Sequence, residues 1–299
     1  MKPNQIITTK KITVLQKVFF TIVMKIQIRE PSAPFKPFIR YYKYIESDLT
    51  GIFKVVPNTF VELYFNFTRI NLFSPGIYDL DNPRIHLSGL HQYEQNIIST
   101  MYGIDRNGGF AIVFQPQGFY NLFNIKSSDF CKFIIDGDSI LKKDIYNLCE
   151  ELYAIYDVED MKSLVEKYLS DYTKKASVSF DIINNIINYM DNVNGMIRVS
   201  QICNIFNVTP RSLDRHFKDE IGLLPKELLN IFRINTAIKL INDNPDCDLS
   251  GISYLSGYYD QSHFIKEIRK ITGVSPGHIR GGESVNVATQ HNLLFIKKD

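Results

Sequence analysis

Two sets of hydrogen-bonding side chains recur late in the sequence at helical spacing. Arg211, Ser212, Asp214, Arg215 and Lys218 form the first, and Gln261, Ser262, Lys266, Arg269 and Lys270 the second, with the apolar Ile265 among them. Arginine and lysine donate to guanine edges and phosphate oxygens, glutamine pairs with adenine, and aspartate accepts from a cytosine amino group. Asp214, beside Arg211 and Arg215, suits either that acceptor role or the orienting of an arginine. Such groups recognise a duplex; they do not make or break bonds.

The segments that carry these groups are versions of one pattern. VSQICNIFNVTPRSLDRHFKDEIGLLP is followed by LSGISYLSGYYDQSHFIKEIRKITGVSP. Each reads as a short helix, a tight turn, a second helix rich in polar and basic residues, then Gly and Pro, which is a helix-turn-helix. In the first copy Val199, Ile202 and Cys203 supply a core face, and Asn207 tolerates the left-handed backbone of the turn. Thr209 caps the second helix and Pro210 suits its first turn. Leu213 and Phe217, four apart, face the core. In the second copy Asp248 caps, Leu249, Ile252 and Leu255 pack, Gly257 turns the chain, and Phe264 and Ile268 face inward. Between the copies a helix is expected from about 225 to 242, roughly 27 Å long at ~1.5 Å per residue. Successive major-groove faces lie ~34 Å apart, so a spacer of that length, plus helix widths, suits two reading heads.

Upstream the period changes. KIQIRE, KPFIRYYKYIE, IFKVV, FVELYFNF, RIHLSGL and GGFAIVFQP are short runs rich in β-branched and aromatic residues, punctuated by Pro, Gly, Asn and Asp. They predict a β-rich barrel or sandwich. Gln117 to Phe123 suits a short helix or a turn. A helix is expected from about Ser139, capped by Asp138 or Ser139, with Ile140, Ile145, Leu148, Leu152 and Ile155 on one face. A second spans about Glu159 to Tyr172, a linker lies at 174–177, and another helix opens near Phe180 and ends near Asn194 and Gly195.

Other chemistries find little support. The four cysteines are scattered, as small buried hydrophobes are. His86, His91 and Glu94 read as loop or core residues, and no metal is expected. Tyr42, Tyr44, Tyr64, Phe65, Phe67 and Phe114 read as core. No nucleophile elbow, Walker loop or zinc-protease motif occurs, so no catalytic residue and no cofactor is expected. Net charge is +2, and the basic and acidic residues from Ala176 onward balance, so DNA affinity rests on local clusters. No apolar run approaches the ~20 residues of a membrane span. Lys10, Lys11 and Lys17 precede the apolar residues 18–23, which mimics a signal peptide. The apolar stretch falls short of the usual ~7–15 residues and lacks a cleavage site.

The C-terminal third resembles the AraC/XylS family of bacterial transcription regulators. Leu213, Arg215 and Phe217 match the family's first reading helix, Gly222 and Pro225 the segment after it, and Arg233 and Ala237 its linker helix. GYYDQSHF and GVSP are similar to the second-unit signature. The resemblance implies base contacts by Arg211, Asp214, Arg215, Gln261, Ser262, Ile265 and Lys266, with Lys218, Arg269 and Lys270 on phosphate. Ile265 would meet a thymine methyl or add packing. His216 occupies a usually apolar site, and Tyr258 stands where Phe is usual. KPFIRYYKYIE, VVPNTFVELYFNF and GFAIVFQPQGFYNLF are similar to one β-rich type of sensor or dimerisation domain in such regulators.

The expectation is therefore an α+β chain of two domains. Residues 1–24 are a leader, disordered or non-native; 25–158 a β-rich sensor or dimerisation domain with flanking helices; 159–178 a helix and linker. Residues 179–281 are an all-α domain of two helix-turn-helix units joined by a linker helix, and 282–299 a tail without an assigned role. The resemblance implies a cytoplasmic regulator, an activator by family default, whose partners are promoter DNA, RNA polymerase, a small-molecule effector whose site no residue identifies, and a second copy of the chain. The alternative is an enzyme or metal-binding β-barrel fused to a DNA-binding domain.

Overall fold

The computed structural model describes residues 6–7, 24–47, 51–55, 60–67, 70–74, 78–81, 85–88, 95–99, 108–130, 134–137, 141, 144–176, 182–244, 246–272, 275–280, 284–288 and 293–296. His91, Glu94, Cys131, Asp138 and Ser139 lie outside them.

The alternating runs form strands. In chain order these are β1 (Ile6–Ile7), β2 (Met24–Arg29), β3 (Ile39–Ser47), β4 (Gly51–Val55), β5 (Glu62–Asn66), β6 (Ile70–Ser74), β7 (Tyr78–Asp81), β8 (Ile85–Ser88), β9 (Gln95–Ser99), β10 (Gly109–Phe114) and β11 (Ile134–Asp136). They build two antiparallel sheets, ordered β1-β2-β3-β10-β5-β8-β11 and β4-β9-β6-β7. The second is extended by β12 (Ser284–Ala288) and β13 (Leu293–Ile296), the latter pairing with β4 through Leu293 opposite Val55. The tail thus returns to the N-terminal sheets, which its scatter of Val, Leu, Phe and Ile did not reveal.

Strand alternation gives the first sheet two unlike faces. Tyr42, Tyr44, Leu63, Phe65, Ile85, Leu87, Phe110, Ile112 and Phe114 point into the hydrophobic core. On the opposite face Lys43, Ala111, Tyr64 and His86 align in register across β3, β10, β5 and β8. This polar face is also buried, with Lys43 and His86 only 3% and 7% exposed. Lys43 Nζ pairs with Glu62, Asn66 Nδ2 lies 3.0 Å from His86 Nδ1, and the Tyr64 ring stacks on His86 at 5.0 Å.

Helices cover the apolar face. β10 leads into α1 (Gly118–Phe123), whose Phe119 packs edge-on against Phe114. α2 is described over Asp144–Ala154, the start expected near Ser139 lying outside the described residues, and α3 (Val158–Lys175) is longer at both ends than expected. Asp157 caps α3 by accepting from the Glu159 and Asp160 N–H groups, and α3 runs into the stretch expected as a linker. Glu166 of α3 accepts from Ser32 N–H and Oγ at 2.8 and 2.7 Å, tying helix to sheet.

The remaining helices are α4 (Ile182–Asn192), α5 (Val199–Phe206), α6 (Pro210–His216), α7 (Pro225–Asp243), α8 (Leu249–Leu255), α9 (Gln261–Thr272) and α10 (Pro276–Arg280). One buried cluster runs from the sheet through α1–α6 into the first half of α7, ending at Phe232. A second begins at Ile234 and takes in α8, α9 and Ile279 of α10. The division between cores therefore falls inside the spacer helix α7. Among the described residues no helix is long and apolar enough to cross a membrane.

Candidate nucleic-acid interface

Helix α5 ends at Asn207, which takes the left-handed conformation (φ 51°) predicted for the turn. Thr209 Oγ1 accepts from Ser212 N–H at 3.2 Å and starts α6. Leu213 and Phe217 are buried, so Arg211, Asp214 and Arg215 stand exposed on the other side. After His216 the chain widens into a π-helical turn, Phe217–Ile221, which closes on Gly222 at φ 86°. Lys218 is exposed on this turn. The charge of Asp214 also reaches Cys203, whose thiol is pushed up first by burial and then by that carboxylate. Cys203 therefore stays a neutral core group.

The second unit repeats the geometry. Asp248 Oδ1 accepts from Gly251 N–H at 2.8 Å to start α8, and Gly257 turns the chain at φ 76°. Asp260, which sequence reasoning did not single out as a cap, starts α9. Its carboxylate accepts from Ser262 N–H at 2.9 Å and from His263 N–H at 3.3 Å. Its place just before Gln261 was the available signal. Phe264 and Ile268 are buried, and Gln261, Ser262, Lys266, Arg269 and Lys270 are exposed. Ile265 is half-buried against the second core. Leu255 departs from expectation: it is 53% exposed. It is the last residue of α8, and Ile252, Ser253 and Ser256 fill the inward positions instead, Ser256 Oγ donating to Ile252 O at 2.7 Å.

The first unit is fastened to the β-rich part by polar contacts that the sequence did not announce. Glu220, 7% exposed, accepts from Gln117 Nε2 with one oxygen and lies 2.5 Å from His216 Nδ1 with the other. Its backbone oxygen accepts from Ser127 Oγ at 2.7 Å. Lys126 and Asp219 pair at 3.0 Å at the rim. The polar His216, at a usually apolar position, thus has a charged partner one helical turn on.

A model described as a helix-turn-helix domain matches residues 202–282, and one described as a domain of unknown function (DUF6597) matches residues 27–136. The transcriptional activator RhaS of Enterobacter sp. is 30% identical over 86 residues, covering 29% of this chain and 31% of that protein. RhaS of Escherichia fergusonii is 28% identical over 106 residues, covering 35% and 38%. The C-terminal domain is similar to the helix-turn-helix part of AraC-type activators. The chain spans about a third of the length of the RhaS relatives it matches. Among solved structures, ToxT from Vibrio cholerae is 13% identical over 87% of this chain and 98% of its own, with a TM-score of 0.46. The C-terminal domain of AraT, a response regulator from Geobacillus stearothermophilus, is 25% identical over 37% of this chain and 92% of its own, with a TM-score of 0.33. In this helix-turn-helix domain both second helices keep their polar faces open. The β-rich part is an antiparallel two-sheet domain, not a closed barrel.

Proposed function

We propose that the chain is a sequence-specific, DNA-binding transcription regulator of the AraC type, with activation as the default sign. The observation that carries this reading is the shared geometry of α6 and α9. Each starts on a side-chain cap, buries its apolar pair, and exposes the polar groups suited to bases and phosphates. The spacer α7 has 19 residues, about 28 Å at ~1.5 Å per residue, close to the ~34 Å between successive major-groove faces. Arg211, Asp214, Arg215, Gln261, Ser262 and Lys266 would read bases, and Lys218, Arg269 and Lys270 would bind phosphate. Ile265, half-buried, offers a thymine methyl only its exposed edge.

The reading extends to a cytoplasmic protein that recruits RNA polymerase, pairs with a second copy, and answers a small-molecule effector in its N-terminal domain. The buried polar face of β3, β5 and β8 supports an effector site there, because ionisable groups held out of water concentrate at functional sites. The effector would act by favouring one arrangement of the heads over another. The fused enzyme or metal barrel gains no specific support: His86 is engaged by Asn66 and Tyr64.

The test is selection of duplexes from a random library by the full chain, followed by footprinting. Arg215→Ala and Lys266→Ala are each expected to weaken specific binding by about 1–3 kcal/mol where the contact is bidentate. Wild-type footprints and affinities from both would refute the assignment of reading heads.

A further inference from the structure

We infer that Arg233 is the positioning residue that sets the angle between the two reading heads. The inference deepens the DNA-binding reading and rests on it.

The two heads share no core. Phe232 closes the first buried cluster and Ile234 opens the second. Arg233 stands between them on α7, at the seam. Its guanidinium lies 5.2 Å from the centroid of the Tyr258 ring in the second unit. Its Nη2 donates to Asn230 Oδ1 at 3.0 Å, and Asn230 Nδ2 donates to Glu267 Oε2 of α9 at 2.8 Å. One chain of contacts therefore runs from the spacer to the second reading helix. Burial, opposed by Arg233 and reinforced by Glu267, pushes the Tyr258 hydroxyl up to about 12, which fits a ring enclosed between these groups.

The aliphatic stem of the same arginine meets both entry turns. A Cβ on Gly195, ahead of α5, would come within 3.1 Å of Arg233 Cγ and 2.3 Å of Leu229 O. A Cβ on Gly257, ahead of α9, would come within 3.7 Å of Arg233 Cδ and 2.7 Å of Met196 Cγ. The turns of the two units thus close on one another around this side chain. Only a bare backbone fits at either place, and both glycines hold positive φ.

Geometry makes the angle matter. A tilt of about 20° at the seam, acting over the ~14 Å of spacer beyond it, moves a head by roughly 5 Å, more than one ~3.4 Å base-pair step. A planar guanidinium that stacks on one face and donates at its edge resists such tilting. A lysine ammonium, a point charge on a flexible stem, lacks that plane.

The experiment uses the full chain and the duplex it selects from a random library. Companion duplexes carry one base pair added or removed between the two protected segments, or one segment scrambled. Wild type is expected to lose at least tenfold in affinity when the spacing changes. Arg233→Ala and Asn230→Ala are expected to bind the intact duplex several-fold more weakly and to shrink the spacing penalty below threefold. Each scrambled duplex should be bound within twofold of wild type. Arg233→Lys should resemble Arg233→Ala. A variant that had merely lost stability would weaken on all duplexes alike and keep the spacing penalty. If Arg233→Ala unfolds at the assay temperature, Asn230→Ala, which removes the bonds to both Arg233 and Glu267 but leaves the guanidinium over the Tyr258 ring, decides alone. A full wild-type spacing penalty in the folded variants overturns the inference. A wild-type chain that selects no duplex, or protects a single segment, overturns instead the DNA reading beneath it, before any variant is made.

Discussion

His86 shows how much a single buried side chain can report. Burial, and then the charge of Lys43, lower its pKa from 6.5 to about 3. The ring is therefore neutral in the folded chain, held by Asn66 and the stacked Tyr64 with the Lys43–Glu62 pair beside it. On unfolding, His86 regains its ordinary affinity for a proton. The stability this supports is complete above about pH 6.5 and drains as pH falls towards 3. The slope from this one group approaches 1.4 kcal/mol per pH unit. Urea unfolding at stepped pH should show that slope in the wild type and a shallower one in His86→Gln. Equal slopes would mean that His86 protonates freely in the fold. Sequence reading placed His86 as a satisfied core or loop residue, and the structure agrees. Its partners were not legible, because Asn66 and Lys43 come from strands whose register is set only when the sheet assembles.

At the scale of elements, the helix starts were largely readable. Thr209, Pro210, Asn207, Asp248 and Gly257 each act through their own backbone or a residue at most three positions away, so local chemistry suffices to place them. Thr209→Ala removes the acceptor from Ser212 N–H and should cost about 0.5–2 kcal/mol, while Thr209→Ser should cost much less. Denaturant midpoints of the two variants at an unchanged slope would check this. What local patterns missed is tertiary. Leu255 looked like a core residue by period, yet α8 ends on it, and Ser253 and Ser256 turn inward in its place. Glu220 carried no signal in the sequence beyond its place four residues after His216. It is buried because Gln117 and Ser127, about a hundred positions earlier, come to meet it. The return of the tail to β4 belongs to the same class: periodicity marks a tendency, and the partner decides the place.

For the whole molecule, the question is where cooperativity divides. Chain order suggests a sensor, a link and a two-headed domain. Packing instead joins the first head to the β-rich part, through a continuous apolar cluster and the Glu220 contacts, and leaves the second head on a core of its own beyond Phe232. The second core holds far fewer buried side chains, so it should open at lower free energy. Native-state hydrogen exchange on the full chain should therefore sort amides into two sets. Those of β10, α3 and α6 should share one high opening energy, and those of α8 and α9 a lower one. Glu220→Ala would leave the Gln117 amide buried without its acceptor, at a cost of about 1–3 kcal/mol. That loss should appear in the first set and spare the second. Exchange in which α6 moves with α9, indifferent to Glu220, would put the division between α3 and α4 instead. Under the proposed reading the distinction matters: an effector in the β-rich part would reach the first head directly, and the second only through α7, across the seam that Arg233 occupies.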